Sequence, residues 1–167
     1  MKTGPAILVL IGILLLGALY FMPRTPESDI VVETGSDNET LDNSYSLADS
    51  LVDVALHKLE SGELPPMQAV LSIRDISEKF PENIKANFTL GVMSMQTGQY
   101  EKAKERFLKV LNEDVKNLDA HLLLSRAKLF AGDSSGALNS LESALENFSD
   151  EETRKAIKEE MASINPN

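Results

Sequence analysis

Two histidines are the residues to which metal binding or general-base chemistry would first be assigned, and their spacing does not support either. His57 and His121 lie far apart in the chain, and neither belongs to an HExxH or another closely spaced pair of nitrogen ligands. Glycines occur singly, without the GxxxxGK(S/T) or GxGxxG run whose amides cradle a phosphate. Serines and acids are plentiful, but no GxSxG sets a nucleophile on a sharp turn. The chain has no cysteine, which removes disulfides, thiolate zinc sites, thiol nucleophiles and a lipid-modified N-terminal Cys. Asn87-Phe-Thr and Asn147-Phe-Ser match a glycan-acceptor pattern, but Asn87 falls within a predicted packed helix and neither is taken as functional. The expectation is therefore no enzyme, no catalytic residue, no metal and no cofactor.

Charge narrows the partners. The 167 residues carry 26 Asp and Glu against 16 Lys and Arg, a net charge of −10, whereas nucleic acid requires clustered cations to displace counterions. No nucleic-acid role is expected. From Pro5 to Met22 the chain reads PAILVLIGILLLGALYFM, without a charge. As a helix this run is about 27 Å long, close to the roughly 30 Å hydrocarbon core of a bilayer. Tyr20 and Phe21 stand where an interface favours aromatic rings, and Pro23 stops the helix. Bulky residues occupy the end where a cleaved signal needs small ones. Residues 1–22 are read as an uncleaved transmembrane signal anchor. Lys2 precedes the span and Arg24 follows it, a nearly balanced pair; with so short a leading tail, the bulk of the chain is placed outside the cytoplasm.

Residues 23–45 carry six acids, one Arg and many turn formers, the composition of a flexible acidic linker spanning about 26 Å. Its one apolar island is Ile30–Val32. Beyond it the apolar period is near 3.6 throughout, with no alternation of period two. Helices are predicted at Leu47–Ser61, Pro66–Lys79, Ile84–Thr97, Tyr100–Asn112, Leu118–Ala131, Ser135–Asn147 and Asp150–Ile164, the last opened by a Ser149-x-x-Glu152 capping box. Shifting the chain by 34 residues pairs Leu90 with Leu124, Gly91 with Ser125, Gly98 with Gly132, Ala103 with Ala137 and Phe107 with Leu141. A shift of 34 also pairs Ala69 with Ala103 and Ile73 with Phe107, while the first helix needs 36, pairing Ala55 with Gly91 and Gly62 with Gly98. Each unit is a helical hairpin that buries its second apolar face only by stacking on a neighbour.

These residues resemble a tetratricopeptide repeat, whose pattern is Trp-x2-Leu-Gly-x2-Tyr followed by Ala-x3-Phe-x2-Ala and a closing Pro. The middle unit matches at Leu90, Gly91, Ala103 and Phe107, the third at Leu124, Ala137, Leu141 and Ala144, the first at Ala69 and Pro81. Asn87 and His121 stand where Trp is usual, Ser94 and Lys128 where Tyr is, and Val115 and Ser149 replace the later prolines. The resemblance implies an all-α solenoid of about three repeats (47–81, 84–117 and 118–149) with a capping helix at 150–164. Anchor, linker and array together resemble short membrane-anchored repeat proteins of bacterial envelopes, implying an inner membrane and a periplasmic array.

In that family the first helix of each hairpin lines a concave groove. The implied groove residues are Asp49, Val52, Leu56 and Leu59 in the first unit; Lys85, Phe88, Val92 and Met95 in the second; Asp119, Leu122, Arg126 and Leu129 in the third. Val52, Leu56, Thr89 and Leu123 occupy the places where family members carry the Lys, Asn and Arg that grip a C-terminal carboxylate. The groove instead suits an apolar or amphipathic polypeptide segment, with an assembly or chaperone-like role. The competing readings are a helix that is merely core, and a structural subunit that self-associates through the groove or the cap helix.

Overall fold

A computed structural model describes the backbone of residues 37–165 and the side chains from residue 44 onward. Seven helices follow in order: α1 (Asp37–Glu60), α2 (Pro66–Lys79), α3 (Ile84–Gln96), α4 (Tyr100–Glu113), α5 (Leu118–Phe130), α6 (Ser134–Leu145) and α7 (Glu151–Ile164). No strand occurs among the described residues. The expected anchor, the linker as far as residue 36 and the island Ile30–Val32 lie outside the described residues. Among those described, no helix is long and apolar enough to cross a membrane.

One boundary is corrected. α1 begins at Asp37, ten residues before the predicted Leu47, so the last part of the expected linker is helical. The acid-rich composition of this stretch reads by itself as linker.

Helix starts follow a shared device. Asn83, Asn117, Asp133 and Asp150 are N-caps whose side chains accept from the amides of Ala86, Ala120, Gly136 and Thr153. The cap of α7 is thus Asp150, one residue beyond the expected Ser149. α1, α3 and α5 each run into a glycine at positive φ, Gly62 (75°), Gly98 (71°) and Gly132 (88°), a left-handed step that closes the helix C-terminus.

Hairpins α1–α2, α3–α4 and α5–α6 stack in sequence, and α7 closes the end. First helices also touch one another, α1 to α3, α3 to α5 and α5 to α7, whereas the backbones of α2, α4 and α6 stay apart, with α2 and α4 joined by the Ser77–Arg106 side-chain hydrogen bond. In a curved stack the helices on the inner side crowd and those on the outer side spread, so the first helices line the concave wall. The core falls into three clusters at the joints. Val52, Ala55, Ile73, Ala86 and Leu90 fill the first; Ala103, Phe107, Leu124 and Ala127 the second; Leu141, Ala144 and Ile157 the third.

Small residues set the helix spacing. A Cβ added at Gly91 would stand 2.6 Å from Cε1 of Phe107, so the fully buried Phe107 ring lies directly on the α3 backbone. Ser125, the equivalent residue one repeat on, is also fully buried and donates to the Ala137 carbonyl at 3.2 Å. The two residues in the tryptophan places are buried polar groups with their hydrogen bonds made. Asn87 donates to the carbonyls of Pro81 (2.8 Å) and Asn83 (2.9 Å) and accepts from Ser77 Oγ (3.1 Å). His121 Nε2 lies 2.9 Å from the Val115 carbonyl, which only accepts, so this nitrogen carries the proton; the ring meets Phe148 edge to face.

Candidate functional site

The concave wall is tied at both ends by polar pairs and apolar between them. At the first joint Tyr45 donates to Glu82 (2.8 Å), Asn83 to Asp49 (2.8 Å) and Lys85 to Asp53 (2.6 Å), each linking α1 to α3 or the turn before it. At the last joint Arg126 donates from Nε and Nη2 to the two carboxylate oxygens of Glu160, at 2.6 and 2.7 Å, a two-pronged bond from α5 to α7. Hydrogen bonding to Glu160 raises the Arg126 pKa further above its usual value, and donation to Glu82 raises that of the Tyr45 phenol.

Between these ties lie Phe88, Val92 and Met95 on α3, half-buried against the middle cluster, with Phe88 edge-on to Phe107 at 5.8 Å between ring centroids. Leu122 leans on the last cluster, Leu129 is half-buried nearby on the same helix, and Asp119 is exposed. The structure therefore brings six of the expected groove residues, Lys85, Phe88, Val92, Met95, Leu122 and Leu129, onto one wall, each retaining some surface. Arg126 belongs to this wall as a tie rather than a free cation.

In the first unit Val52 is core. It is 0% exposed and sits with Ala55 and Ile73 in the first cluster. Leu56 leans on that cluster and Leu59 is half-buried. The reason is register. The spacing of Gly62 to Gly98 fixes the turns, but the buried positions Ala48, Val52 and Ala55 superpose on the buried Asn83, Asn87 and Leu90 with one residue less. One residue turns a helix by about 100°. The corrected set, Ser50, Asp53, His57 and Glu60, is exposed and polar, and it includes the partner of Lys85. The wall is polar in its first third; in the rest Phe88, Val92, Met95, Leu122 and Leu129 are apolar, with Lys85 and Arg126 held in ion pairs and Asp119 exposed.

On the other side of the stack, a cleft of about 530 Å³ opens between α2 and α4 with α3 as its floor. Met67, Val70, Leu71, Leu90 and Met93 line it with Arg74, Lys102, Arg106 and Glu105. The mixed charges from Glu101 to Arg106 do not by themselves mark this cleft. The available signal is the four-residue spacing of Lys102 and Arg106, which puts both cations on one face of α4.

No family model matches the chain, and no curated protein sequence does. Solved structures match in fold. The Yersinia enterocolitica type III secretion chaperone SycD, in complex with a peptide of the translocator YopD, superposes with a TM-score of 0.55 at 19% identity, covering 75% of this chain and 92% of that one. SycD in its alternative dimer gives 0.54 at 19% identity, over 75% and 92%. MamA from MSR-1 gives 0.52 at 20% identity, over 76% of this chain and 79% of that one. The seven described helices thus have the architecture of a tetratricopeptide-like helical repeat.

Proposed function

We propose that this protein binds a polypeptide segment along the concave wall, with Phe88, Val92, Met95 and Leu129 meeting apolar side chains of the partner. The observation that carries the reading is the half-buried apolar run left between two polar ties. It is anchored well enough in the core to hold its shape, yet it keeps surface toward the hollow. A helix-in-groove or extended segment with apolar anchors suits such a wall, and Met95 adapts to differing side chains. The peptide-bound SycD structure supports the same reading, as a fold of this kind holding a polypeptide. The role is assembly or chaperone-like binding without catalysis. The charge-free run from Pro5 to Met22 supports tethering to a membrane, with the array on the periplasmic side of a bacterial inner membrane.

A photoreactive residue at Met95 or Leu129 in the full-length chain, in membranes, is expected to form adducts with a polypeptide that Val92→Asp abolishes. Adducts formed only from the exposed outer residue Leu108 would overturn the concave assignment. Retention of the chain in the membrane pellet after alkaline carbonate washing tests the tether; release into the wash would refute it.

One observation favours a self-associating subunit as the second reading. Leu47, Leu51 and Val54, spaced along α1, are 54, 42 and 51% exposed on the first hairpin, where no other described helix covers them. A dimer by light scattering that Leu51→Asp with Val54→Asp reduces to a monomer would support it.

A further inference from the structure

We propose that the outer cleft between α2 and α4 is a second binding site, independent of the concave wall, for a polypeptide segment carrying an acidic side chain beside bulky apolar ones. Its anchor is Arg106, which takes the carboxylate through two parallel hydrogen bonds.

Arg106 is half-buried, and no carboxylate lies within ion-pair distance of it among the described residues. Two neutral acceptors hold it in place, Ser77 Oγ at 2.6 Å and Asn87 Oδ1 at 2.9 Å, both bonded to Nη1. These acceptors come from α2 and α3, so the guanidinium is fixed from the two elements that flank it. Nη1 is then satisfied, while the edge formed by Nε and Nη2 makes no hydrogen bond within the described residues. That edge is the fork that matches a carboxylate in the plane. Burial lowers the Arg106 pKa from its usual value, with Glu105 and Glu78 acting in the opposite direction; a guanidinium is a permanent cation in proteins, and this one sits in a partly desolvated place. Such a cation, held but not neutralised, favours an anionic ligand.

The rest of the cleft selects among anions. Its α2 wall exposes Met67 (69%) and Leu71 (38%), and Val70 and Met93 continue the apolar surface inward. Arg74 and Lys102 stand with Arg106 against two acids, Glu105 in the cleft and Glu78 beside it. Arg74 is only loosely engaged by Glu78, at 3.8 Å, and Lys102 donates to the neutral Gln99 at 2.7 Å. In a chain of net charge −10 this is a local excess of positive charge over an apolar floor. A volume of about 530 Å³ lies within the range of ligand sites. An open cleft between two helices admits a chain passing through it. The concave wall, with its cations already paired to Asp53 and Glu160, offers no comparable attraction to acids.

The test is fluorescence anisotropy on the full-length chain with three labelled ten-residue peptides. One alternates Leu and Glu with an amidated C-terminus, one replaces Glu by Gln with the same amide, and the third is the Leu–Gln peptide with a free carboxylate. The Leu–Glu amide is expected to bind at least about tenfold more tightly than the Leu–Gln amide. The difference should disappear between about 0.05 and about 0.5 M salt. Arg106→Gln should remove it, and so should Arg74→Glu with Lys102→Glu, exposed changes that leave the core intact. Equal affinities for the two amides, or unchanged binding in the double variant, would overturn the site. Tightest binding by the free-carboxylate peptide would overturn the assignment to an acidic side chain.

Discussion

At the scale of single residues, the fold depends on positions where size is fixed to within one carbon. Gly91 faces Phe107 so closely that an added methyl collides with a ring having no free space to yield into. Gly91→Ala, which on an exposed helix would stabilise, is expected instead to cost about 1–3 kcal/mol, read as a lower urea midpoint with unchanged slope. Phe107→Leu removes part of the obstacle, so in the double variant the two costs should sum to less than their separate values. Additive costs would mean that the helices simply move apart. The need for smallness at Gly91 and Ser125 was legible from the repeat alone. The replacement of tryptophan by Asn87 was legible only as a departure, because its partners are Ser77 on α2, Arg106 on α4 and two carbonyls of the turn between α2 and α3. At the α7 cap, Asp150 is held below its ordinary pKa of 3.8 by hydrogen bonds from Thr153. Its contribution is therefore complete above about pH 4 and is lost as pH falls through the lower, folded value. Asp150→Asn should flatten the acid limb of a stability–pH curve, and an unchanged limb would assign that limb to other carboxylates.

At the scale of elements, the sequence predicted helices well where apolar period and punctuation coincide. The bounds of α2 and the starts of α3, α4 and α5 agree with the predicted ones. It failed where a helix is not defined by its own pattern. α1 begins in an acid-rich stretch that composition alone assigns to a linker, and its rotation was set from a glycine in the turn beyond it. That choice put Val52 on the groove and Asp53 off it, the reverse of their packing. The lesson is physical: a turn residue fixes where a helix stops, whereas its rotation is fixed by which side chains the next hairpin covers. α7 packs on the last hairpin through one apolar side. Ile157 is fully buried against Leu141 and Ala144, and Arg154 donates to the carbonyls of Leu145 (2.6 Å) and Phe148 (2.9 Å) at the end of α6. Ile157→Ala is expected to lower stability by about 2–5 kcal/mol. Removal of residues 150–167 should leave a chain that binds a hydrophobic dye and aggregates, since the last cluster would open to water. A truncated chain with unaltered melting would show that α7 adds nothing to the stack.

At the scale of the whole array, stability is a chain of nearest-neighbour joints, and the joints are unequal. The middle hairpin is covered on both sides, whereas α7 covers the last hairpin and the first hairpin ends in exposed Leu47, Leu51 and Val54. Amide hydrogen exchange should accordingly be slowest in α3, α4 and α5 and faster toward α1 and α7. The Arg126–Glu160 tie allows a sharper test. Both partners keep some exposure, Arg126 more than Glu160, so the pair is worth on the order of 1 kcal/mol or less and its loss should not unfold the chain. If the array behaves as linked joints, Arg126→Ala should speed exchange in α7 by up to about fivefold, the rate equivalent of that energy. Exchange in α1 and α2 should stay unchanged, because no contact carries the loss back through two intact joints. Exchange raised equally in every helix would mean that the hairpins open together. The concave wall would then be present or absent as a whole, and a partner could not bind to part of an already frayed array.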